Sequence, residues 1–163
     1  MTIVIVMGVS GSGKTTVAQK LAEQLGWQFF EGDDFHPETN VQKMAQRHPL
    51  TDADRQPWLV SLKVLIDELM ATGVSAVITC SALKKAYRDF LKDGRPEIVV
   101  VYLQGSFEVI RERLVHRKGH YMPVDLLRSQ FEDLEEPTDG MTVDITQQPE
   151  SLVQQIVDRL RQA

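Results

Sequence analysis

The sequence predicts a three-layer α/β/α fold with a five-stranded parallel sheet, and three observations carry that prediction. Five short apolar runs alternate along the chain with segments of helical periodicity. The first run, Ile3-Val4-Ile5-Val6-Met7, is apolar without alternation, the pattern of a parallel strand covered on both faces. It leads into a glycine-rich turn and then a helix, the crossover that parallel strands require and that is nearly always right-handed.

Taken in order, the first helix runs from about Gly13 to Leu25, with Val17, Leu21, Ala22 and Leu25 at helical spacing and Gly26 placed as a C-terminal cap. A short second strand covers Gln28 to Glu31. From Gly32 to Arg55 the chain is polar and broken by Pro37 and Pro49, which reads as loop around a short helix near Asn40 to Gln46. Pro57 suits the first turn of a long helix, in which Trp58, Leu62, Leu65, Ile66 and Leu69 recur until Gly73. Val74 to Cys80 and Ile98 to Leu103 are two further strands, each followed by a helix, beginning near Ser81 and near Ser106. A polar segment, Lys118 to Pro123, precedes a helix to about Leu134. Met141 to Ile145 is the last strand, and Leu152, Val153, Ile156, Val157 and Leu160 mark a closing amphipathic helix.

At 163 residues, with 42% hydrophobic and 25% charged side chains, the chain suits one domain spanning 1–163. A net charge of -5 argues against a protein that grips nucleic acid, which needs a broad basic surface. The single cysteine, Cys80, excludes an internal disulfide and suits a reducing, cytoplasmic setting. Met1 to Val9 is apolar but has no basic segment before it, so it reads as a buried strand and not a signal. No apolar run approaches the roughly 18 residues of a membrane helix. No His, Cys and carboxylate spacing suggests structural zinc.

Gly8-Val9-Ser10-Gly11-Ser12-Gly13-Lys14-Thr15 matches the phosphate-binding loop GxxxxGK[ST], and it lies between a strand and a helix, the context that gives the match its meaning. Backbone amides of such a loop turn inward around an anion, and the helix dipole adds to them. Lys14 is placed to reach the β- and γ-phosphates of ATP and the Thr15 hydroxyl to ligate Mg²⁺, with Thr16 counted among the nucleotide-binding residues. A guanine-reading switch would need Asn-Lys-x-Asp, yet the only asparagine, Asn40, precedes Val41 and Gln42. A motor ATPase ends its second catalytic strand with acidic residues, whereas Val77-Ile78-Thr79-Cys80 has none. Kinase chemistry is the class left.

Gly32-Asp33-Asp34-Phe35-His36-Pro37, Asp52-Ala53-Asp54-Arg55 with Pro57-Trp58, Cys80-Ser81-Ala82-Leu83-Lys84-Lys85 with Tyr87-Arg88-Asp89, and Arg113-Leu114 with Arg117-Lys118-Gly119-His120 resemble the bacterial gluconokinase family over nearly the whole chain. The resemblance implies ATP-dependent phosphorylation of D-gluconate to 6-phospho-D-gluconate, a nucleoside-monophosphate-kinase-like fold with a mobile lid at about 117–124, and a cytoplasmic homodimer. The alternative is a shikimate-kinase-like enzyme acting on another hydroxylated acid.

Asp33, just beyond the second strand, is the candidate to accept the proton of the attacking hydroxyl or to hold a magnesium-bound water; a loop-capping aspartate is the plain alternative. His36 either bonds a substrate hydroxyl or orders the loop. Arg55, Lys84 and Arg88 are candidates for the acid's carboxylate, Lys84 and Arg88 because they stand four apart on a helix expected from Ser81. The resemblance assigns Arg117 to transition-state charge, His120 to lid and substrate contacts, and Arg113, Gln148 and Pro149 to the walls of the adenine site. Cys80, Trp27 and Trp58 read as packing.

Overall fold

Strand β1 (Ile3–Met7) is buried along its whole length because it lies at the centre of the sheet. The computed structural model of the chain describes residues 1–116 and 123–162. It sets β1 between β3 (Ala76–Thr79) and β4 (Ile98–Gln104), with β2 (Gln28–Glu31) outside β3 and β5 (Met141–Asp144) outside β4. All pairings are parallel, with Ile3 opposite Ala76 on one side and Ile98 on the other. Strands so placed need apolar side chains in both directions, hence the unbroken run in the sequence.

The two-residue period of β1 divides the core. Val4 and Val6 pack with Val17 and Leu21 of α1 (Lys14–Leu25), Ile110 of α5 (Phe107–Val115) and Ile156 of α7 (Pro149–Gln162). Ile3, Ile5 and Met7 face the opposite layer, where α3 (Asp52–Thr72) supplies Trp58, Leu62 and Ile66 and α4 (Lys85–Lys92) supplies Leu91. Helix α6 (Val124–Asp133) joins the first cluster through Leu127, and α2 (Glu38–Ala45) buries Asn40, whose amide bonds the Asp54 carbonyl of α3. Each such apolar side chain contributes about 1.5–3 kcal/mol on burial. The expected α/β/α layering and five parallel strands are present.

Three boundaries differ from expectation. Helix α3 starts at Asp52, five residues before Pro57, because Thr51 and Asp54 close a reciprocal cap: Asp54 N donates to Thr51 Oγ1 at 3.1 Å and Thr51 N to Asp54 Oδ2 at 2.8 Å. Pro57 therefore sits inside the helix, where it offers no N–H to the Ala53 carbonyl. Helix α4 begins at Lys85, not near Ser81, since Ala82 adopts φ 44, a left-handed conformation that helix cannot continue through. The short helix expected near Asn40 begins at Glu38. Elsewhere the local signals held: Gly26 and Gly73 end α1 and α3 with left-handed caps, and Ser106 Oγ accepts Val109 N at the start of α5.

The chain leaves β1 toward β2 on one side of the sheet and leaves β3 toward β4 on the other, so a crevice opens beyond the C-terminal ends of β1 and β3. Gly8 N donates to Ser81 O across its floor at 3.4 Å. Of the lid expected at 117–124, only Pro123 and Val124 fall among the described residues.

Candidate active site

The loop after β1 has the conformation that glycine permits. Gly11 and Gly13 adopt φ 82 and 95, and a Cβ on Gly8 would stand 2.7 Å from Ser12 Oγ. Lys14, the first residue of α1, arches over the loop and donates from Nζ to Gly8 O at 3.0 Å and Val9 O at 3.1 Å. Ser10 N donates to Gln130 Oε1 of α6 at 2.7 Å, and Gln130 Nε2 donates to Ser10 Oγ at 3.0 Å. Among the described residues, one buried side-chain polar atom has no hydrogen-bond partner, and it is the hydroxyl of Ser12 in this loop. Folded proteins seldom leave such a group unsatisfied, so an orphan in an anion-binding loop fits a phosphate ligand.

Beside the loop, Glu31 at the end of β2 holds two hydroxyls: Thr15 Oγ1 donates to its Oε2 at 2.6 Å and Thr79 Oγ1 to its Oε1 at 2.5 Å. Thr79 Oγ1 accepts in turn from Gly32 N at 3.0 Å. This closeness depends on Gly32, where a Cβ would lie 1.8 Å from Thr79 O. A hydroxyl and one carboxylate next to a phosphate site form an all-oxygen donor set. Mg²⁺ takes such a set, since it is bound through one or two carboxylates plus substrate phosphates and keeps several waters. The residues present fit Mg²⁺.

Asp33 stands in a 3-10 turn, Gly32–Phe35, its carboxylate mostly exposed and 3.9 Å from His36 Nε2. The His36 ring lies flat on Trp58, centroids 4.2 Å and planes 14° apart, and Trp58 Nε1 donates to Gly32 O at 2.8 Å. Buried Asn40 reaches His36 Nδ1 at 3.1 Å and donates to Asp54 O at 2.7 Å, both from Nδ2. With that amide as donor, Nδ1 accepts and Nε2 carries the ring proton toward the Asp33 side. Burial lowers the His36 pKa, opposed by the Asp33 charge and reinforced by Arg55. The imidazole is neutral at pH 7.

Arg55 reaches the cleft from α3 although its side chain is largely buried. Nη1 donates to Tyr87 Oη at 3.0 Å and Nη2 to Asp133 Oδ2 at 3.0 Å. Tyr87 donates to Asp52 Oδ1, which also takes Lys84 Nζ at 2.9 Å. A single cavity of about 380 Å³ is lined by Ser10, Lys14, Asp33, His36, Arg55 and Gln130, so the loop and three of the predicted acceptor residues share one space.

Two carboxylate candidates are not among the residues lining that space. Lys84 precedes α4 and is engaged with Asp52. Arg88 is buried, and its guanidinium donates to Ala82 O at 2.8 Å, Leu83 O at 3.1 Å and Glu135 O at 2.7 Å, fastening the loop after β3 to the segment after α6. Arg88, expected at the substrate carboxylate, makes these three bonds to backbone carbonyls and is not on the wall of that cavity.

On the other flank of the loop, Arg113 donates from Nη2 to Ile145 O, and its Nη1 is 3.9 Å from where a Cβ on Gly13 would be. Gln148 O accepts Leu152 N, and Pro149 occupies the first position of α7. These three residues are gathered at the end of the sheet that carries the loop. Arg117 and His120 lie outside the described residues. Cys80 is packed in the core, where burial pushes its thiol up to about 12 and keeps it unreactive. Sequence reading missed Glu31, Asn40 and Gln130; for Glu31 the available signal was a carboxylate ending a strand beside the loop, overshadowed by the Asp33-Asp34 pair.

A family model described as an AAA domain matches residues 3–138. The thermoresistant gluconokinase of Escherichia coli (strain K12) is 45% identical over 163 residues, covering 98% of this chain and 93% of that protein. A crystal structure of a gluconokinase from Sinorhizobium meliloti 1021 superposes with TM-score 0.88 at 42% identity, covering 99% of this chain and 92% of the other. A shikimate kinase from Acinetobacter baumannii, solved with shikimate, has TM-score 0.59 at 20% identity over 99% of this chain and 94% of its own, a likeness of fold alone.

Proposed function

The chain belongs to the gluconokinase family, and from that membership we propose how its residues divide the transfer of the γ-phosphate of ATP to D-gluconate, giving 6-phospho-D-gluconate and ADP. The chain is an ATP-dependent gluconate kinase. The observation that supports the division of labour is the shared cavity: the phosphate loop forms one wall, and Asp33, His36 and Arg55 form another.

In this reading the amides of Gly8 to Thr15 cradle the phosphates, Lys14 exchanges its contacts with Gly8 O and Val9 O for the β- and γ-oxygens, and Thr16 supports the same end of α1. Arg113, Gln148 and Pro149 flank the adenine. Asp33 accepts the proton of the gluconate 6-hydroxyl as its oxygen attacks γ-phosphorus and the bond to the β-phosphate oxygen breaks. Neutral His36 donates from Nε2 to an acceptor hydroxyl, and Arg55 takes the carboxylate. Arg117 and His120 complete the site by resemblance, on a lid at about 117–124. Thr15, oriented by Glu31, and the nucleotide phosphates would hold Mg²⁺, which when bound neutralises phosphate charge.

The proposal includes one kinase domain over 1–163, a homodimer and a cytoplasmic setting. Among the described residues no helix is long and apolar enough to cross a membrane. A coupled ADP-release assay with gluconate, shikimate and a set of nucleoside monophosphates tests the acceptor. Turnover confined to gluconate is expected; faster turnover of shikimate would overturn the assignment.

A further inference from the structure

Helix α6 carries one contact to each half of the site. Gln130 meets the Ser10 amide and hydroxyl, and one turn later Asp133 Oδ2 accepts Arg55 Nη2 at 3.0 Å. Residues three apart share a helix face, so a single edge of α6 faces both the loop and the guanidinium. The helix is fixed to the body by buried Leu127 and by Phe131, set edge-on to Phe107 at 5.6 Å. It presents the two side chains as one unit.

The chemistry of the two contacts is parallel. The Ser10 N–H belongs to the amides that cradle phosphate oxygen, and it is met by the side-chain carbonyl oxygen of Gln130. Arg55 is the cation assigned to the gluconate carboxylate, and it is met by the carboxylate of Asp133. Each side chain offers its site the kind of oxygen that the substrate brings.

We propose that Gln130 and Asp133 are positioning residues that stand in for the two substrates and couple their sites through α6. ATP takes the Ser10 amide from Gln130, gluconate takes Arg55 from Asp133, and whichever substrate arrives first releases one of the two tethers and eases release of the other. This rests on the reading that Arg55 receives the carboxylate. A site occupied by a stand-in binds its ligand more weakly by the fraction of time it is free, and coupling between two sites is reciprocal.

Isothermal titration of the full chain tests this, with gluconate and a non-hydrolysable ATP analogue with Mg²⁺, each titrated alone and against a saturating level of the other. In the unaltered protein each ligand should tighten the other by the same factor, about ten-fold. Gln130→Met keeps length and helix propensity but removes both bonds to Ser10; it should tighten the analogue alone and bring the coupling factor below about two. Asp133→Asn should tighten gluconate alone with the same loss of coupling. A purely structural role predicts the opposite sign, weaker binding with a lower Tm. Weaker analogue binding by Gln130→Met, or coupling equal to the unaltered protein in both variants, overturns the proposal. Arg55→Gln separates the two levels: unchanged gluconate affinity there sinks the acceptor reading, whereas lost affinity with coupling intact in the α6 variants sinks the stand-in proposal alone.

Discussion

The Glu31 carboxylate accepts the Thr15 hydroxyl at 2.6 Å, which directs the Thr15 proton away from the phosphate loop and leaves oxygen lone pairs for a cation. Partners that orient a metal ligand in this way typically contribute about 10- to 100-fold to metal affinity. Glu31→Gln keeps the shape but removes the charge. The Mg²⁺ concentration for half-maximal activity should rise by about that factor, with a smaller change in kcat at saturating Mg²⁺. A Mg²⁺ titration of the initial rate checks this; an unchanged midpoint would show that Glu31 serves only to join β2 to β3.

Asp33→Asn should lower kcat by about 10²-fold or more, because the amide keeps the shape of the side chain but cannot take the hydroxyl proton. The carboxylate is well placed for that role, being solvent-accessible at the cavity wall with only a long contact to His36. Steady-state kinetics with both substrates decide it. A loss confined to the KM for gluconate makes Asp33 a binding residue.

What the sequence revealed of this architecture was what short-range chemistry controls. Strand β1 is a continuous apolar run, α5 starts at a serine cap, and the phosphate loop is written in eight consecutive residues. The differences came where a distant partner or a competing local signal decides. Pro57 drew the start of α3 toward itself, while the Thr51–Asp54 cap five residues earlier governs the backbone. Arg88 and Lys84 share the spacing of a helix face, yet Arg88 turns inward to the Glu135 carbonyl, 47 residues away, a contact that no local pattern encodes. Arg55 was a candidate for the chemistry of its guanidinium, while its place in the cavity depends on the course of α3.

His36 gives the protein a pH dependence whose sign follows from burial. Desolvation lowers its pKa in the folded chain below the ordinary value of 6.5, so above that pH both folded and unfolded chains are neutral there and stability is complete. As pH falls below 6.5 the unfolded chain takes the proton first, and stability is lost. Asp54, held down to about 2 chiefly by its bond from Lys43, acts only at much lower pH, below the ordinary 3.8. The His36 imidazole should titrate by NMR below 6.5, and His36→Gln should shrink the loss of urea stability between pH 7 and pH 5. A midpoint at or above 6.5 contradicts the burial account.

The two buried arginines should separate binding from folding. Arg55 lies on the cavity wall with its guanidinium shared between Tyr87 and Asp133, whereas Arg88 is not on that wall and makes three bonds to backbone carbonyls. A hydrogen bond to a charged group is worth about 1.5–3 kcal/mol, so Arg55→Gln should raise the KM for gluconate about 10- to 150-fold and leave the KM for ATP nearly unchanged at saturating gluconate. Arg55→Lys, which keeps the charge but loses the planar fork, should fall between the two and guards against a folding defect in the first variant. Glucitol, which lacks the carboxylate, should lose nothing further in either. Arg88→Gln strands three backbone acceptors and should lower unfolding stability by about 2–4 kcal/mol while leaving the KM for gluconate within about two-fold. Urea unfolding alongside kinetics distinguishes the pair. A raised KM with normal stability in Arg88→Gln, together with unaltered gluconate kinetics in Arg55→Gln, would reverse the assignment and move the carboxylate site to the far side of the loop after β3.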